Sequence, residues 1–481
     1  MKGHFYDFII MGDSLAGLAV AVMMARKGAD IQVLIPEKSK PISYMKKSFS
    51  HSPLCLNGIE HGTWFRKFCA KSVIMTKPPN RIDPCFQVLL PDARIDLKNG
   101  FKEYLDELKY EIPDSCETMS SFLNYAKNIN RELERFLSKN LLVKHNGFWA
   151  KQGLNKKLKK SNLPSFLRNH DIITTMKWIR ENPDLEQFTM ANHLLFSNTV
   201  NPSLNPYTLS WNLQVPDEDP YPELCCIENF KEVIIDQIKH FLGEVKYIDE
   251  VPNIKTSGSL IKQIELNDND VVKGKHFILN GYNKIFADKI QQFSINLPFI
   301  RYKRLNYYFE IDRTGIPEGM GRHLAYFNDL GVESTPITII NVEMSKDSSS
   351  KKFTNALFVS AFARNGENID FDKYLEIGEN VYRELKNIIP FFDQHYVFSC
   401  PDYSEKKKRK LPEREYFEAQ LESEYNNIYE IQGRGISDIL KVAIETKFKN
   451  MFFMGNSILP GLGLAGEIYA AYKFVEQVEK S

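Results

Sequence analysis

Tyr6-Asp-Phe-Ile-Ile-Met-Gly-Asp-Ser-Leu-Ala-Gly17 opens the chain, followed by Leu18-Ala-Val-Ala-Val-Met-Met-Ala-Arg-Lys-Gly28 and Ala29-Asp-Ile-Gln-Val-Leu-Ile-Pro-Glu37. Residues 6–11 are apolar and rich in strand formers, 15–27 are apolar with good helix formers, and 31–35 read as a second strand. Gly28 is placed to end the helix. Strand, tight turn, helix and strand make a βαβ unit whose first turn carries glycine at 12 and 17.

That turn has a chemical consequence. Gly12 permits a sharp bend, Gly17 lets the helix pack closely on the strand, and the free N–H groups at the helix start favour a pyrophosphate. Asp13, Ser14, Leu15 and Ala16 complete the turn, with Ser14 where the usual fingerprint has its middle glycine. Glu37 lies twenty residues past Gly17, where an acidic side chain can accept bonds from a ribose diol. The expectation is a dinucleotide site; the alternative is a structural βαβ unit without a ligand.

The 481 residues suggest more than one domain. Balanced charge, 62 basic against 61 acidic side chains, argues against a nucleic-acid binder. The 33 Phe and 22 Tyr suit an apolar pocket and equally a large core. Seven cysteines without a CxxC pair fit a reduced cytoplasmic protein better than a disulfide scaffold, and Cys225-Cys226 read as ordinary buried thiols rather than a redox pair. No metal-ligand spacing appears, and the histidines at 51 and 61 read as structural or surface groups. Leu15 to Ala25 is too short an apolar run to span a bilayer.

Further along, Phe86–Leu97 alternates around Pro91-Asp92 as a hairpin, and Asp114-Ser-Cys-Glu117 reads as a capping box opening a helix to about Lys139. Residues 150–215 are helical, with basic clusters at Lys156-Lys157 and Lys159-Lys160. Together with Lys406–Lys410 these read as solvated faces, with peripheral contact to anionic lipid as the minor alternative. A helix over about 228–242 closed by Gly243, a strand Val245–Ile248 and a hairpin of Leu260–Leu266 with Val271–Leu279 return the chain to the first sheet. Leu305–Ile311, Ile337–Glu343 and Ala356–Phe362 suggest an antiparallel second sheet, followed by a helix near 370–388.

The chain ends as it began. Residues 450–454 read as a buried strand running into Gly455-Asn456, followed by glycines at 461, 463 and 466 and a terminal helix. This is a second place where backbone approaches something closely and a helix N-terminus points at it.

Taken together, Gly12–Gly17, Glu37 and Gly455-Asn-Ser-Ile-Leu-Pro-Gly-Leu-Gly-Leu-Ala-Gly466 resemble the FAD-dependent phytoene desaturase and carotenoid isomerase-like oxidoreductases, relatives of the amine oxidase flavoproteins. The hairpin Gln87–Leu97 and Ile316–Met320 also look like features of that family. The resemblance implies an α/β fold: a Rossmann-like FAD-binding domain from 1–82, 223–292 and 445–481, and a discontinuous antiparallel-sheet and helical substrate domain from 83–222 and 293–444. It implies FAD, with Gly12, Asp13, Ser14, Leu15, Ala16 and Gly17 at the pyrophosphate and Glu37 at the ribose. Val251 would meet the adenine side, Gly455 and Asn456 the ribityl-pyrophosphate region, and Gly463, Leu464, Ala465 and Gly466 the isoalloxazine.

The sequence also departs from that pattern. Asn456 replaces the usual aspartate, and the Gly-Gly-Arg segment expected after the ribose ligand and the glycine-rich segment expected near 222–228 are missing. The leading expectation is an FAD-dependent oxidoreductase exchanging a hydride with carbon–carbon bonds of a large apolar substrate, an isoprenoid, polyene or lipid. The rivals are an amine or amino-acid oxidase and a degenerate flavin-binding protein without catalysis. No side chain stands out as acid or base; Arg94 is a weak candidate for the substrate face and reads more readily as a hairpin ion pair.

Overall fold

The computed structural model describes residues 4–40, 42–44, 47–49, 64–74, 84, 86–98, 100–140, 148–214, 227–249, 252–267, 270–281, 295, 297–328, 335–343, 354–403, 413–440, 442 and 444–480. Its elements begin with β1 (Phe5–Met11), α1 (Leu15–Ala25) and β2 (Ile31–Pro36). A small hairpin, β3 (Ile42–Tyr44) and β4 (Lys47–Phe49), precedes α2 (Trp64–Ser72) and the hairpin β5 (Phe86–Leu89) and β6 (Arg94–Leu97). A helical stretch follows: α3 (Phe101–Glu111), α4 (Cys116–Asn140), α5 (Phe148–Lys159), α6 (Leu163–Phe166), α7 (His170–Glu181), α8 (Pro183–Phe196), the short β7 (Thr199–Val200) and α9 (Pro206–Leu213).

The chain then returns through α10 (Ile227–His240), β8 (Glu244–Ile248), β9 (Asn253–Ser257), β10 (Leu260–Asn267) and β11 (Asp270–Asn280). Next come β12 (Ile300–Asp312), β13 (His323–Tyr326), β14 (Ile337–Glu343), β15 (Thr354–Arg364), α11 (Phe371–Ile388), α12 (Phe392–His395) and β16 (Tyr396–Cys400). It closes with α13 (Glu413–Glu422), β17 (Asn427–Glu430), β18 (Met451–Met454) and α14 (Gly463–Val478).

The first sheet runs β8-β2-β1-β11-β10-β9, with β18 also on β11. Its parallel part is set by Phe8 opposite Ile31, Met11 opposite Leu279, Val33 opposite Val245 and Phe277 opposite Met451. Parallel strands covered on both faces need continuous apolar runs, which is what 8–11 and 31–35 supply. α1 is apolar nearly all round because the sheet, α10 and α14 enclose it.

The second sheet runs β6-β5-β13-β14-β15-β12-β17-β7, with β16 added on β12. β12 and β15 pair in register from Tyr302–Arg364 to Asp312–Thr354. α11 covers one face through Tyr374, Val381 and Leu385, packed with Leu305, Tyr307 and Phe309. Two local expectations shift. The helix expected from Asp114 starts at Cys116, behind a 3-10 turn at Pro113–Ser115. The helix expected to close at Gly243 turns left-handed at Leu242 instead (φ 67°). Gly243 is needed for packing, since a Cβ there would lie 2.6 Å from Ile238 Cγ2.

Candidate functional site

The turn leaving β1 is shaped by the end of β11. Gly12 has φ 115°, and a Cβ on it would lie 2.0 Å from the Asn280 carbonyl oxygen. A Cβ on Gly17 would overlap the Asn280 side chain, at 2.1 Å from its Cγ. That side chain staples the turn: Nδ2 donates to the Ser14 carbonyl at 2.8 Å, and Oδ1 accepts from the Gly17 amide at 2.9 Å. Both fingerprint glycines are therefore required by contact with Asn280, a residue that reads in the sequence only as part of a turn.

Next come the amides at the start of α1, where the helix dipole favours an anion. Leu15 N–H donates to Tyr425 Oη at 2.8 Å, and Ala16 N–H donates to Glu467 Oε2 at 3.1 Å. Ser14 Oγ and Tyr425 Oη also donate to Glu467 Oε2, at 2.7 and 3.1 Å. All five residues are buried. The acceptor on the cradle is thus the chain's own carboxyl group, presented by α14. Burial pushes the Glu467 carboxyl up to about 7, against the downward pull of Ser14, the Ala16 amide, Tyr425 and Lys231. Burial, then Glu467 and Glu424, push the Tyr425 phenol well above its ordinary range.

A belt of charges borders this cradle. The buried Lys231 ammonium lies 2.8 Å from Asp13 and 4.7 Å above the Tyr425 ring. Burial alone would lower its pKa; Asp13 and Glu228 outweigh that, and the net shift is upward. Lys38 pairs with Glu422 at 3.1 Å. A Cβ on Gly281 or Gly455 would approach the Glu424 carboxylate to 2.6 or 2.7 Å, so Glu424 fills the space over both glycines. What remains between Asp13, Lys231, Gly281 and Glu424 is a cavity of about 20 Å³, room for about one water.

The glycine-dense loop before α14 is packed in the same way. A Cβ on Gly461 would lie 2.4 Å from Thr208 Cγ2, and one on Gly463 would lie 2.1 Å from the Phe196 carbonyl. Asn212 Nδ2 donates to Gly461 O at 3.1 Å. Leu464, Ala465 and Gly466 are buried in the first turn of α14. Asn456 is buried, and its Nδ2 has no hydrogen-bond partner among the described residues.

The other expected residues lie apart. Glu37 is half-exposed beyond β2 and pairs with Lys40, whose ammonium lies 3.9 Å above the Tyr247 ring. Val251, Cys225-Cys226 and Lys406–Lys410 lie outside the described residues. Arg94 binds Asp96 through Nε at 3.0 Å and Nη2 at 2.9 Å and reaches Gly319 O, so it serves its hairpin. No group of three potential metal ligands occurs among the described residues, and no described helix is long and apolar enough to cross a membrane.

These observations test the cofactor that the resemblance implies. The cradle offers the donors a pyrophosphate needs, since Ser14 Oγ, the Ala16 amide and Tyr425 Oη already converge on one carboxyl oxygen. It does not suit the volume in this conformation, because Glu467, Tyr425 and Glu424 occupy the space. Glu467, Tyr425, Asn280 and Lys231 are the site residues that sequence reasoning missed. Only Glu467 leaves a local signal, a lone carboxylate in the apolar run 464–471.

No protein-family model and no curated protein matches the sequence. Among solved structures, an oxidoreductase from Methanosarcina mazei is 12% identical, covering 98% of this chain and 100% of that chain (TM-score 0.51). Cyclohexylamine oxidase from Brevibacterium oxydans IH-35A is 11% identical, covering 99% of this chain and 100% of that one (TM-score 0.51). Putrescine oxidase bound to putrescine is 10% identical, with coverage of 99% and 100% (TM-score 0.55). From end to end, the chain has the α/β fold of oxidoreductases that include these amine oxidases.

Proposed function

We propose that the chain is an FAD-dependent oxidoreductase related to the amine oxidases, with its cofactor cradle closed by Glu467, Tyr425 and Glu424. The observation that carries this reading is the carboxyl group seated on the donors at the start of α1, at the carboxyl ends of the parallel strands, where dinucleotides bind in such sheets. In the open form Gly12–Gly17 would hold the pyrophosphate and Glu37 the ribose, with Val251 on the adenine side. Gly455, Asn456 and Gly463–Gly466 would line the rest. FAD, when bound, supplies hydride exchange. The chain's own part is to orient the substrate and exclude water.

The substrate is a large apolar molecule, such as an isoprenoid, a carotenoid-like polyene or a lipid, reacting at carbon–carbon bonds. An amine is the second substrate class, favoured by the fold shared with cyclohexylamine and putrescine oxidases. A cavity of about 250 Å³ between the helical stretch and β12 offers Met190, Val200 and Leu204 beside Glu186, His193 and Arg301, a mixed lining compatible with either. A cytoplasmic protein with at most peripheral membrane contact fits this reading.

The rival is a non-catalytic binding protein, favoured by the 20 Å³ left beside the cradle. The visible spectrum of the purified protein, with released cofactor identified by mass, separates the two. Bound FAD that bleaches anaerobically with a member of an apolar or amine panel establishes the oxidoreductase. A colourless protein that takes up no FAD under any condition, including with the closing residues substituted, leaves the binding role.

A further inference from the structure

We propose that Glu467 is a built-in occupant of the phosphate cradle, and that a phosphate-bearing ligand binds α1 only by displacing its carboxylate. The inference shares its site with the function proposed above but does not depend on flavin chemistry.

Three observations carry it. First, one carboxylate oxygen takes three donors, from Ser14, Ala16 and Tyr425, at the N-terminus of an eleven-residue helix. A phosphate needs those same donors. Second, the other oxygen, Oε1, is buried and has no hydrogen-bond partner among the described residues. Glu467 therefore holds the cradle through a single atom, whereas a phosphate group offers several acceptors. Third, the departure from glycine at position 14 and the carboxylate at 467 form one device. The Ser14 hydroxyl contributes the shortest of the three bonds to Glu467, and a glycine there would offer none.

Tyr425 completes the device. Its hydroxyl accepts from Leu15 N–H and donates to Glu467. Displacing the carboxylate leaves Ala16 N–H, Ser14 Oγ and Tyr425 Oη together as three donors facing one point. Lys231, near Tyr425, keeps the surroundings suited to an anion.

The test compares wild type, Glu467→Ala and Glu467→Gln at about pH 8, where Glu467 is largely ionised. Calorimetry and thermal shift are read with inorganic pyrophosphate, ADP and FAD, and circular dichroism checks folding. Glu467→Ala should bind pyrophosphate and ADP at least about tenfold more tightly than wild type. Acetate should raise the melting temperature of Glu467→Ala but not of wild type, by refilling the vacated place. Glu467→Gln keeps the shape without the charge. Should the alanine variant not fold, a gain in pyrophosphate affinity by the glutamine variant carries the test. Folded variants that bind pyrophosphate and ADP no better than wild type overturn the inference. A gain for pyrophosphate and ADP without FAD binding supports it and removes the flavin reading. Tight FAD binding by wild type, with no gain in either variant, overturns it and keeps the flavin reading.

Discussion

Ser14 Oγ donates a 2.7 Å hydrogen bond to Glu467 Oε2, tying the first turn of the chain to its last helix across 453 positions. The bond joins the two stretches that carry the family resemblance. It also makes the N-terminus of α1 a finished, buried contact within the protein.

The pH dependence of stability should report Glu467 directly. Burial raises its carboxyl from an ordinary 4.5 to about 7. A group raised in the fold contributes stability that is complete below the unfolded value and lost as pH rises through the folded one. The loss between about pH 5 and 8 is on the order of a few kcal/mol. The groups around it are Ser14, the Ala16 amide and Tyr425, with Lys231 and Glu424 beyond. The stability of wild type relative to Glu467→Gln should therefore decline as pH rises through 7. A flat difference in urea midpoints across that range would refute the assignment.

Gly17 and Asn280 should show coupled effects. Gly17→Ala drives a Cβ into the Asn280 side chain at 2.1 Å, which should cost several kcal/mol, on the order of an overpacked core. Asn280→Ala loses its bonds to Ser14 O and Gly17 N–H, on the order of 1–3 kcal/mol. The double variant should be destabilised less than the sum, because removing the side chain makes room for the new methyl. Additive losses in a denaturant double-mutant cycle would show that the overlap is relieved elsewhere. As a control, Gly28→Ala meets no atom within 4 Å and should cost only about 1 kcal/mol, the strain of its positive φ.

The contrast between Gly17 and Asn280 shows where the sequence is legible. The βαβ unit declares itself because its apolar runs have the right lengths and its glycines punctuate them. Both hairpins and the long strands β12, β14 and β15 of the second sheet follow from alternation in the same way, whereas β7, β13, β16 and β17 do not. What those glycines face is not local information. Positions 12 and 17 read equally well as backbone bared for a phosphate or for Asn280, which is 263 residues beyond Gly17. Glu467 and Tyr425 become site residues only because α14 and the turn before β17 pack against α1. Leu242 escapes notice for another reason. A bulky residue with φ 67° is tolerated there because its side chain is exposed, while the neighbouring glycine is taken up by packing on Ile238.

The Lys231–Asp13 pair supplies the last test. Lys231 is almost wholly buried and Asp13 is partly exposed, with 2.8 Å between the charges. Breaking a buried pair costs more when the charge left behind is the one without access to water. Asp13→Asn should therefore be the more harmful change, on the order of 3 kcal/mol, because it leaves the ammonium buried. Lys231→Met should cost less, since the carboxylate it strands can still be hydrated. The asymmetry also has a titration signature. Lys231 is held above its ordinary value by Asp13 and Glu228 against the opposing pull of burial. Removing Asp13 should lower it, so that Asp13→Asn gains stability relative to wild type as pH rises towards 10. Urea midpoints of both variants between about pH 7 and 10 check the order. If Lys231→Met proves the costlier change at every pH, the ammonium is not the dominant buried charge beside the cradle.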